Sequence, residues 1–228
     1  MTTDLLLGLD VGTTSCKAAL VTPAGEEIAH GRTATPWRTV PTGAEIDPRE
    51  LLASVLAAAR QALAAAPGAR VAAVGVASLA ETGVLLGAAG EPVAPSIAWY
   101  DSRGDAQAAE LVAELGAERF SGRTGLTPRP LCGLVKYRWL RDNDAGAARG
   151  VRWLSVGEWI VHALGGDQVG ELSLASRTGW LDLRARGWWD EALAWARAPA
   201  GLLPEPLVAG TPAGTAGDAF PEARGAVL

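Results

Sequence analysis

The sequence predicts an α/β lobe with a mixed central sheet, flanking helices and a helical insertion. Short apolar runs separated by turn residues follow one another in residues 5–31, a pattern typical of meandering strands. A helical pattern and a continuous apolar run, typical of a buried strand, follow in residues 48–77. In residues 105–170 the apolar side chains recur mainly at helical spacing, which predicts the insertion.

The first two predicted strands enclose a turn of small polar residues. The apolar residues 5–9 end at Asp10, the turn Gly-Thr-Thr-Ser occupies residues 12–15, and a second apolar run resumes at residues 18–21. Backbone N–H groups and hydroxyls in such a turn suit a phosphate, and the adjacent carboxylate suits magnesium. The second run is short and ends at a Pro-Ala-Gly turn, so it is predicted as a strand. A Walker loop or a Rossmann turn would open a helix instead.

The next elements extend the sheet and cover it. Residues 26–31 are predicted as a third strand, and residues 33–44, which include two prolines, as a loop. A helix begins at Asp47-Pro48, where an N-cap residue precedes a proline in the first turn, and it ends before Pro67-Gly68.

A buried strand at residues 71–77 delivers the polar segment 78–83 at its carboxyl end, where open α/β sheets commonly place ligand groups. Residues 84–86 and 96–99 are predicted as a second hairpin. Further helices are predicted at residues 106–115, 131–141, 156–164 and 188–198. This order of elements is that of one actin-like, or ribonuclease-H-like, lobe.

The composition excludes several classes of protein. The 228 residues are 49% hydrophobic and 20% charged, which is enough for a well-buried core. A net charge of −5 without a basic stripe argues against nucleic-acid binding. No apolar run has the ~18 residues of a membrane span, and Asp4 stands where a signal peptide would be positive. The only two cysteines, Cys16 and Cys132, have no metal-ligand spacing, so a cytoplasmic protein with free thiols is expected. Most of the nine tryptophans are expected in the core.

Four motifs follow one another in an order that resembles the N-terminal half of the FGGY carbohydrate kinases. This family phosphorylates glycerol, xylulose, ribulose, gluconate and similar polyols. The resemblance runs from residue 5 to about residue 214. The motifs are Asp-Val-Gly-Thr-Thr-Ser-Cys-Lys at 10–17, Ile-Ala-Trp-Tyr-Asp-Ser-Arg at 97–103, Leu-Ser-Leu-Ala-Ser-Arg-Thr at 172–178 with Leu-Asp and Trp-Trp after it, and Leu-Val-Ala-Gly-Thr-Pro-Ala-Gly at 207–214.

The resemblance implies two groups of site residues, with ATP and Mg²⁺ as cofactors. Asp10 would hold magnesium through water, and the ATP phosphates would contact Gly12, Thr13 and Thr14, with Ser15 and Lys17 nearby. The residues on the sugar side would be Glu81, Thr82, Trp99, Asp101 and Arg103. Carboxylates accept hydrogen bonds from a polyol, a fixed cation donates them, and an indole face covers C–H groups.

Each motif also has a structural interpretation. Residues 12–14 can form an ordinary hairpin turn, Lys17 can be a strand-edge charge, and Glu81 can serve the end of its strand. Trp99 can belong to the core. Asp101 and Arg103 can form a surface pair, which would contribute under about 1 kcal/mol. The pair Ser176-Arg177 is predicted to be structural.

Two departures from the family pattern limit the prediction. The glycerol-specific pattern has Arg just before the glutamate, where this chain has Ala80, and the Met-His-Gly of the xylulose pattern is absent from this region. The substrate is therefore a ketose or polyol of unassigned identity. The family's general base, an aspartate in a Gly-rich strand beyond residue 214, is expected after Leu228, because Asp218 comes too early and lies in a loop.

The sequence therefore predicts that residues 1–228 form the N-terminal lobe of an ATP-dependent sugar or polyol kinase. Residues 199–228 would cross towards a C-terminal lobe, the lobe's expected partner, which supplies the adenosine site. The 228-residue chain alone would be inactive, and a homodimer is allowed; neither a membrane nor a nucleic acid is expected as a partner. A non-catalytic sugar-binding or regulatory lobe is the alternative. An actin-like ATPase is weaker, since residues 99–103 have no role in it.

Overall fold

The structure, a computed structural model, describes residues 4–228 and contains strands and helices in the following order along the chain. The strands are β1 (Asp4–Val11), β2 (Ser15–Val21), β3 (Glu27–Ala34), β4 (Arg38–Val40), β5 (Gly43–Ile46), β6 (Arg70–Ser78), β7 (Gly83–Leu86), β8 (Ser96–Ile97), β9 (Arg152–Ser155), β10 (Gly170–Glu171), β11 (Leu181–Asp182), β12 (Gly187–Trp188) and β13 (Pro206–Leu207). The α-helices are α1 (Pro48–Leu63), α2 (Asp105–Leu115), α3 (Ala117–Thr124), α4 (Gly133–Asn143), α5 (Val156–Ala163), α6 (Leu172–Ala175) and α7 (Asp190–Trp195). Short 3₁₀ helices occupy Gly146–Arg149 and Pro221–Ala223.

A four-stranded mixed sheet in the order β3-β2-β1-β6 organises the N-terminal half. β2 is antiparallel to both β1 and β3, whereas β6 runs parallel to β1. In this register Val11, at the end of β1, pairs with Cys16 of β2 and with Ser78 of β6. The carboxyl ends of β1 and β6 therefore meet at one edge of the sheet, as the predicted mixed sheet requires.

Helix α1 covers one face of this sheet. Its N-cap is Asp47, whose carboxylate accepts a 2.8 Å hydrogen bond from the Arg49 N–H, with Pro48 in the first turn, as predicted. A Cβ at Gly31 of β3 would lie 2.0 Å from the Ala58 carbonyl oxygen, so a glycine there lets helix and strand approach closely. The buried side chains of this core alternate along the strands and recur at helical spacing in α1; among them are Leu5, Leu7, Leu9, Val11, Leu20, Leu51, Val55 and Ala59.

A second core lies under the helical insertion. Tyr137, Trp153 and Trp180 are buried there with their rings edge-on at centroid distances of 5.5 to 5.8 Å, a favourable aromatic geometry. Five of the nine tryptophans are buried, namely Trp153, Trp159, Trp180, Trp189 and Trp195, which confirms the expectation that most belong to the core. Both cysteines are buried and free.

Three local predictions differ from the structure. Residues 33–44 are not simply a loop, because β3 continues to Ala34 and β4 pairs with β5. The predicted hairpin at residues 84–99 does not form; β7 pairs with β9 and β8 pairs with β5. After the turn, the Val93 N–H donates to the Leu85 carbonyl at 3.0 Å, as in a hairpin. Pro92 and Pro95 have no N–H, so the ladder does not continue. The last predicted helix is also shorter than expected.

None of the helices in residues 4–228 is both long enough and apolar enough to cross a membrane.

Glu158 is a buried residue in the first turn of α5 that helps to cap the helix. Its Oε2 accepts a 2.6 Å hydrogen bond from the Ser155 N–H, and its Oε1 accepts one of 2.8 Å from the Glu171 N–H. The Ser155 side chain completes a capping box. Burial outweighs these hydrogen bonds and raises the pKa of Glu158 to about 7.

We expect Glu158 to make stability depend on pH. Because its pKa is higher in the folded chain than in the unfolded one, the folded state holds the extra proton between the two values. The stabilisation is complete below the ordinary pKa of 4.5 and is lost as the pH rises to about 7. For a carboxyl whose pKa rises from 4.5 to about 7, the loss is on the order of 3 kcal/mol. Urea unfolding between pH 4.5 and 8 should show a flatter profile for Glu158→Gln. Glu118→Gln, an exposed glutamate in the first turn of α3, is the matched control and should follow the unchanged chain. Equal slopes for Glu158→Gln and the unchanged chain would contradict the expectation.

Candidate functional site

The polar turn at residues 12–14 connects β1 to β2, at the edge of the sheet where the carboxyl ends of β1 and β6 lie. Its short span is closed by a 3.1 Å hydrogen bond from the Gly12 N–H to the Ser15 carbonyl. The segment after β6 reaches the same edge, because the Leu79 N–H donates to the Val11 carbonyl at 2.8 Å. The predicted hairpin is confirmed, and it lies beside the predicted sugar-side segment.

The carbonyl groups of this turn are all held by the chain behind it. The Thr35 hydroxyl donates to the Gly12 carbonyl at 2.7 Å, and its N–H donates to Thr14 at 3.1 Å. The Trp37 indole N–H donates to the Thr13 carbonyl at 2.7 Å. Within residues 4–228 the N–H groups of Thr13 and Thr14 have no acceptor. With the acceptors occupied and two donors free, the turn is equipped to bind an anion.

The side chains of the turn differ in access. Thr14 is exposed, whereas Ser15 is only 5% exposed and contributes little surface to an incoming group. Thr14 is therefore better placed than Ser15 to offer its hydroxyl to a phosphate.

Asp10 and Lys17 face each other across β1 and β2. Lys17 Nζ lies 3.0 Å from Asp10 Oδ2, and both side chains are about half exposed. Such a pair contributes about 0–1 kcal/mol, so a metal ion or phosphate can displace it at small cost. In the part of the chain that the structure describes, no three His, Cys, Asp or Glu side chains group as metal ligands. The Asp10 carboxylate beside the polar turn could serve as one ligand of Mg²⁺, which binds through one or two carboxylates together with water and substrate phosphates.

Glu81 stands in a strained turn just after β6. Its φ angle is +62°, a left-handed conformation that residues other than glycine rarely adopt and that is often found at functional sites. Arg177 donates to its carboxylate through Nε and Nη2, at 2.8 and 2.6 Å. The adjacent Thr82 is 1% exposed and its hydroxyl has no partner among the described residues.

Trp99 lies at the surface, so the alternative that it belongs to the core is wrong. Its side chain is 38% exposed, and its indole N–H donates to the Thr13 hydroxyl at 3.2 Å. Tyr100 packs edge-on against it at 5.4 Å and against Trp37 at 6.3 Å. The three rings form an aromatic group directly against the polar turn, and an indole face of this kind can cover the C–H groups of a sugar.

Asp101 and Arg103 lie in a buried network, so they are not a surface pair. Asp101 is 2% exposed, and Arg103 donates to its two carboxylate oxygens at 3.0 and 2.9 Å. Arg103 also donates to Glu45 Oε2 at 2.5 Å, and Lys136 donates to the Asp101 carbonyl. Burial alone would raise the pKa of Asp101, but the hydrogen bonds from Arg103 outweigh it and hold the pKa below its usual value. This network fastens the segment from which Trp99 projects.

Helix α4 connects the two sides of the site. Its Leu134 N–H donates to the Thr178 carbonyl at 2.8 Å, next to Arg177. Two residues later, Lys136 reaches the carbonyl of Asp101. Lys136 is 1% exposed, and burial lowers its pKa to about 8. Helix α4 therefore positions both Arg177, which pairs with Glu81, and residues 99–103, which include Trp99.

Several residues that hold this site in place were not predicted from the sequence. Lys136 could have been found, since it is a charge within the apolar pattern of a predicted helix. Thr35 and Trp37 carried no local signal, because residues 33–44 were predicted as a loop. Arg177 was interpreted as structural. Glu45, which pairs with Arg103, was not singled out.

The mixed sheet, the helices on it and the phosphate-type turn together define an actin-like α/β lobe. The chain belongs to the FGGY family of carbohydrate kinases: the model of this family's N-terminal domain matches residues 5–226. The fold prediction and the resemblance are both confirmed.

The relatives are kinases of different small polyols. The chain is 34% identical to the glycerol kinase of Herminiimonas arsenicoxydans, over 87% of this chain and 42% of that protein. It is 33% identical to the xylulose kinase of Streptomyces coelicolor, over 98% of this chain and 47% of that protein. The crystal structure of xylulose kinase from Rhodospirillum rubrum matches 98% of the chain and 47% of its own length, with a TM-score of 0.91 and 25% identity. The chain spans a little under half the length of the curated relatives it matches.

Proposed function

We propose that this chain is the N-terminal lobe, residues 1–228, of an ATP-dependent kinase for a small sugar or polyol. The observation that carries the proposal is the 3.2 Å hydrogen bond from the exposed Trp99 indole to the hydroxyl of Thr13. It joins an aromatic sugar-binding surface to a turn with free N–H donors. A phosphate donor and a hydroxyl acceptor need to be held side by side in this way for group transfer.

The residues of the turn would bind the phosphates of ATP. The free N–H groups of Thr13 and Thr14 donate to phosphate oxygens, and Gly12 and the Thr14 hydroxyl lie beside them. Lys17 supplies a positive charge close by. Asp10 would hold Mg²⁺, which neutralises negative charge on the transferring phosphoryl group when it is bound.

The sugar would lie between Trp99 and Glu81. The indole covers its C–H face, and the Glu81 carboxylate accepts a hydrogen bond from a hydroxyl. Thr82 stands beside this carboxylate, while Asp101 and Arg103 hold the segment in place through their buried network. The relatives act on glycerol, xylulose and gluconate, which are the substrates to test first.

A second lobe completes the proposal. The relatives are about twice as long as the chain, and their second half is where we place the adenosine site and the aspartate that accepts the hydroxyl proton. Closure of two lobes would exclude water from the phosphoryl group. We place this kinase in the cytoplasm, and the proposal allows a homodimer.

The test joins the chain to the second lobe of the Streptomyces coelicolor xylulose kinase in one polypeptide. ADP formation is followed with ATP, Mg²⁺ and glycerol, D-xylulose or D-gluconate in turn. We expect sugar-dependent ADP formation by the joined protein and little by the 228-residue chain alone. Robust turnover of a polyol by the chain alone would overturn the assignment of the base to a second lobe.

A non-catalytic sugar-binding lobe is the second candidate, because the groups proposed to contact the sugar, Glu81 and Trp99, both belong to this chain. Calorimetry with the same three polyols, with and without ATP, separates the two candidates. Binding followed by no phosphorylation in the joined protein would favour the non-catalytic lobe.

A further inference from the structure

We propose that Arg177 is a positioning residue that fixes the Glu81 carboxylate and leaves one of its oxygens, Oε2, to accept a hydroxyl of the polyol. The inference rests on the proposed function, since it assigns Glu81 to the substrate. It adds Arg177, which the sequence pattern suggested was merely structural, to the substrate side of the site.

The geometry of the pair is one-sided. Both Nε and Nη2 of Arg177 donate to the same oxygen, Oε1 of Glu81, at 2.8 and 2.6 Å. A fork-to-fork arrangement would occupy both carboxylate oxygens. Here Oε2 has no partner among residues 4–228. The carboxylate is thus oriented by a cation and still has an acceptor to offer.

The backbone under both residues is held in place. Glu81 adopts its left-handed φ of +62° directly before the buried Thr82, so its side chain leaves the turn in a set direction. On the other side, the Thr178 hydroxyl donates to the Ala175 carbonyl at 2.6 Å, and Thr178 is 5% exposed. The Leu134 N–H of α4 holds the Thr178 carbonyl. Arg177 therefore extends from a rigid support.

The partial exposure of the Arg177–Glu81 pair indicates a role in positioning the carboxylate as well as in stability. The Arg177 side chain is 45% exposed and that of Glu81 is 13% exposed, so solvent reaches the pair. Solvent screening on the arginine side limits what the pair contributes to stability, although the Glu81 carboxylate is largely buried. The affinity for a polyol gains more from the pair, because a carboxylate held at the angle needed to accept from a hydroxyl loses less entropy on binding. Ala80, the residue before Glu81, carries no charge, so the cation beside Glu81 comes from 96 residues away along the chain.

The test measures polyol binding to the 228-residue chain by calorimetry with glycerol, D-xylulose and D-gluconate. For the polyol that the unchanged chain binds, we expect Arg177→Ala to raise the Kd about 10-fold, which corresponds to ~1.4 kcal/mol. The Kd of Arg177→Lys should lie between those of the unchanged chain and Arg177→Ala, because lysine restores the charge but not the two-donor guanidinium. Guanidinium chloride at a few millimolar should partly restore binding to Arg177→Ala and leave the unchanged chain as it was. A merely structural arginine would show no such rescue.

Arg60→Ala is the matched control, since Arg60 also donates through Nε to a half-exposed glutamate, Glu222, at 2.6 Å. We expect its Kd to match that of the unchanged chain. Equal Kd values for Arg177→Ala and the unchanged chain would overturn the inference alone, as would an equal loss in Arg60→Ala. Failure of the unchanged chain to bind any of the three polyols would overturn the proposed sugar site, and the inference with it.

Discussion

Replacement of Asp10 by asparagine is expected to lower ATP-dependent phosphorylation by the joined two-lobe protein at least ~100-fold, a loss typical of removing one electrostatic contact to the transition state. The neutral amide is a poor ligand for Mg²⁺, so charge on the phosphoryl group is less well neutralised. Sugar binding should be unchanged, because Asp10 is proposed to hold the metal and not to contact the sugar. Steady-state kinetics at saturating polyol measures the first effect, and calorimetry with the polyol measures the second.

Asp4→Asn provides a matched control for this experiment. Asp4 lies on the same strand β1 and, like Asp10, is in an exposed ion pair, with Arg70. It lies at the opposite end of the strand from the turn, so the rate should stay near that of the unchanged protein. Retention of full activity in Asp10→Asn would show that the carboxylate does not hold the metal. An equal loss in Asp4→Asn would show a general effect on β1.

Truncation of Arg103 to alanine is expected to destabilise the chain by about 3–5 kcal/mol, the cost of leaving buried carboxylates unpaired. Arg103 is the shared partner of Asp101 and Glu45, which are 2% and 7% exposed. Chemical unfolding in urea at pH 7 measures the change through the midpoint, with the m-value as a check on two-state behaviour. Trp99 projects from the same segment, so binding of a polyol should weaken as well.

Arg38→Ala is the control for this prediction. Arg38 pairs with the other carboxylate oxygen of Glu45, but its side chain is 72% exposed, so its removal should cost under about 1 kcal/mol. Equal destabilisation by the two substitutions would contradict the expectation.

The pH dependence gives a second check on Arg103. Hydrogen bonds from Arg103 overcome the effect of burial and hold the pKa of Asp101 below its usual value, so this stabilisation is present at neutral pH. It is lost as the pH falls through the folded-state pKa. The difference in stability between the unchanged chain and Arg103→Ala should therefore shrink in acid. A difference that grows in acid would contradict the assigned direction.

Much of the fold could be predicted from the sequence because its signals are local. The adjacent residues Asp47 and Pro48 predict the start of α1. The hairpin around residues 12–15 follows from apolar runs on either side of a polar turn. The sequence also predicted the buried strand β6 and the placement of Glu81 after it. In each case a few neighbouring residues determine the backbone conformation.

The surroundings of these elements depend on contacts between residues far apart in the chain. Glu45 and Arg103 meet across 58 residues of chain, and Glu81 and Arg177 across 96, so no local pattern predicts either pair. The pairing of β7 with β9 was missed for the same reason. The residue types beside the phosphate-type turn follow from the local sequence. Only the folded chain determined that Trp99 is exposed and that Asp101 is buried, because burial depends on which distant segments pack against a residue.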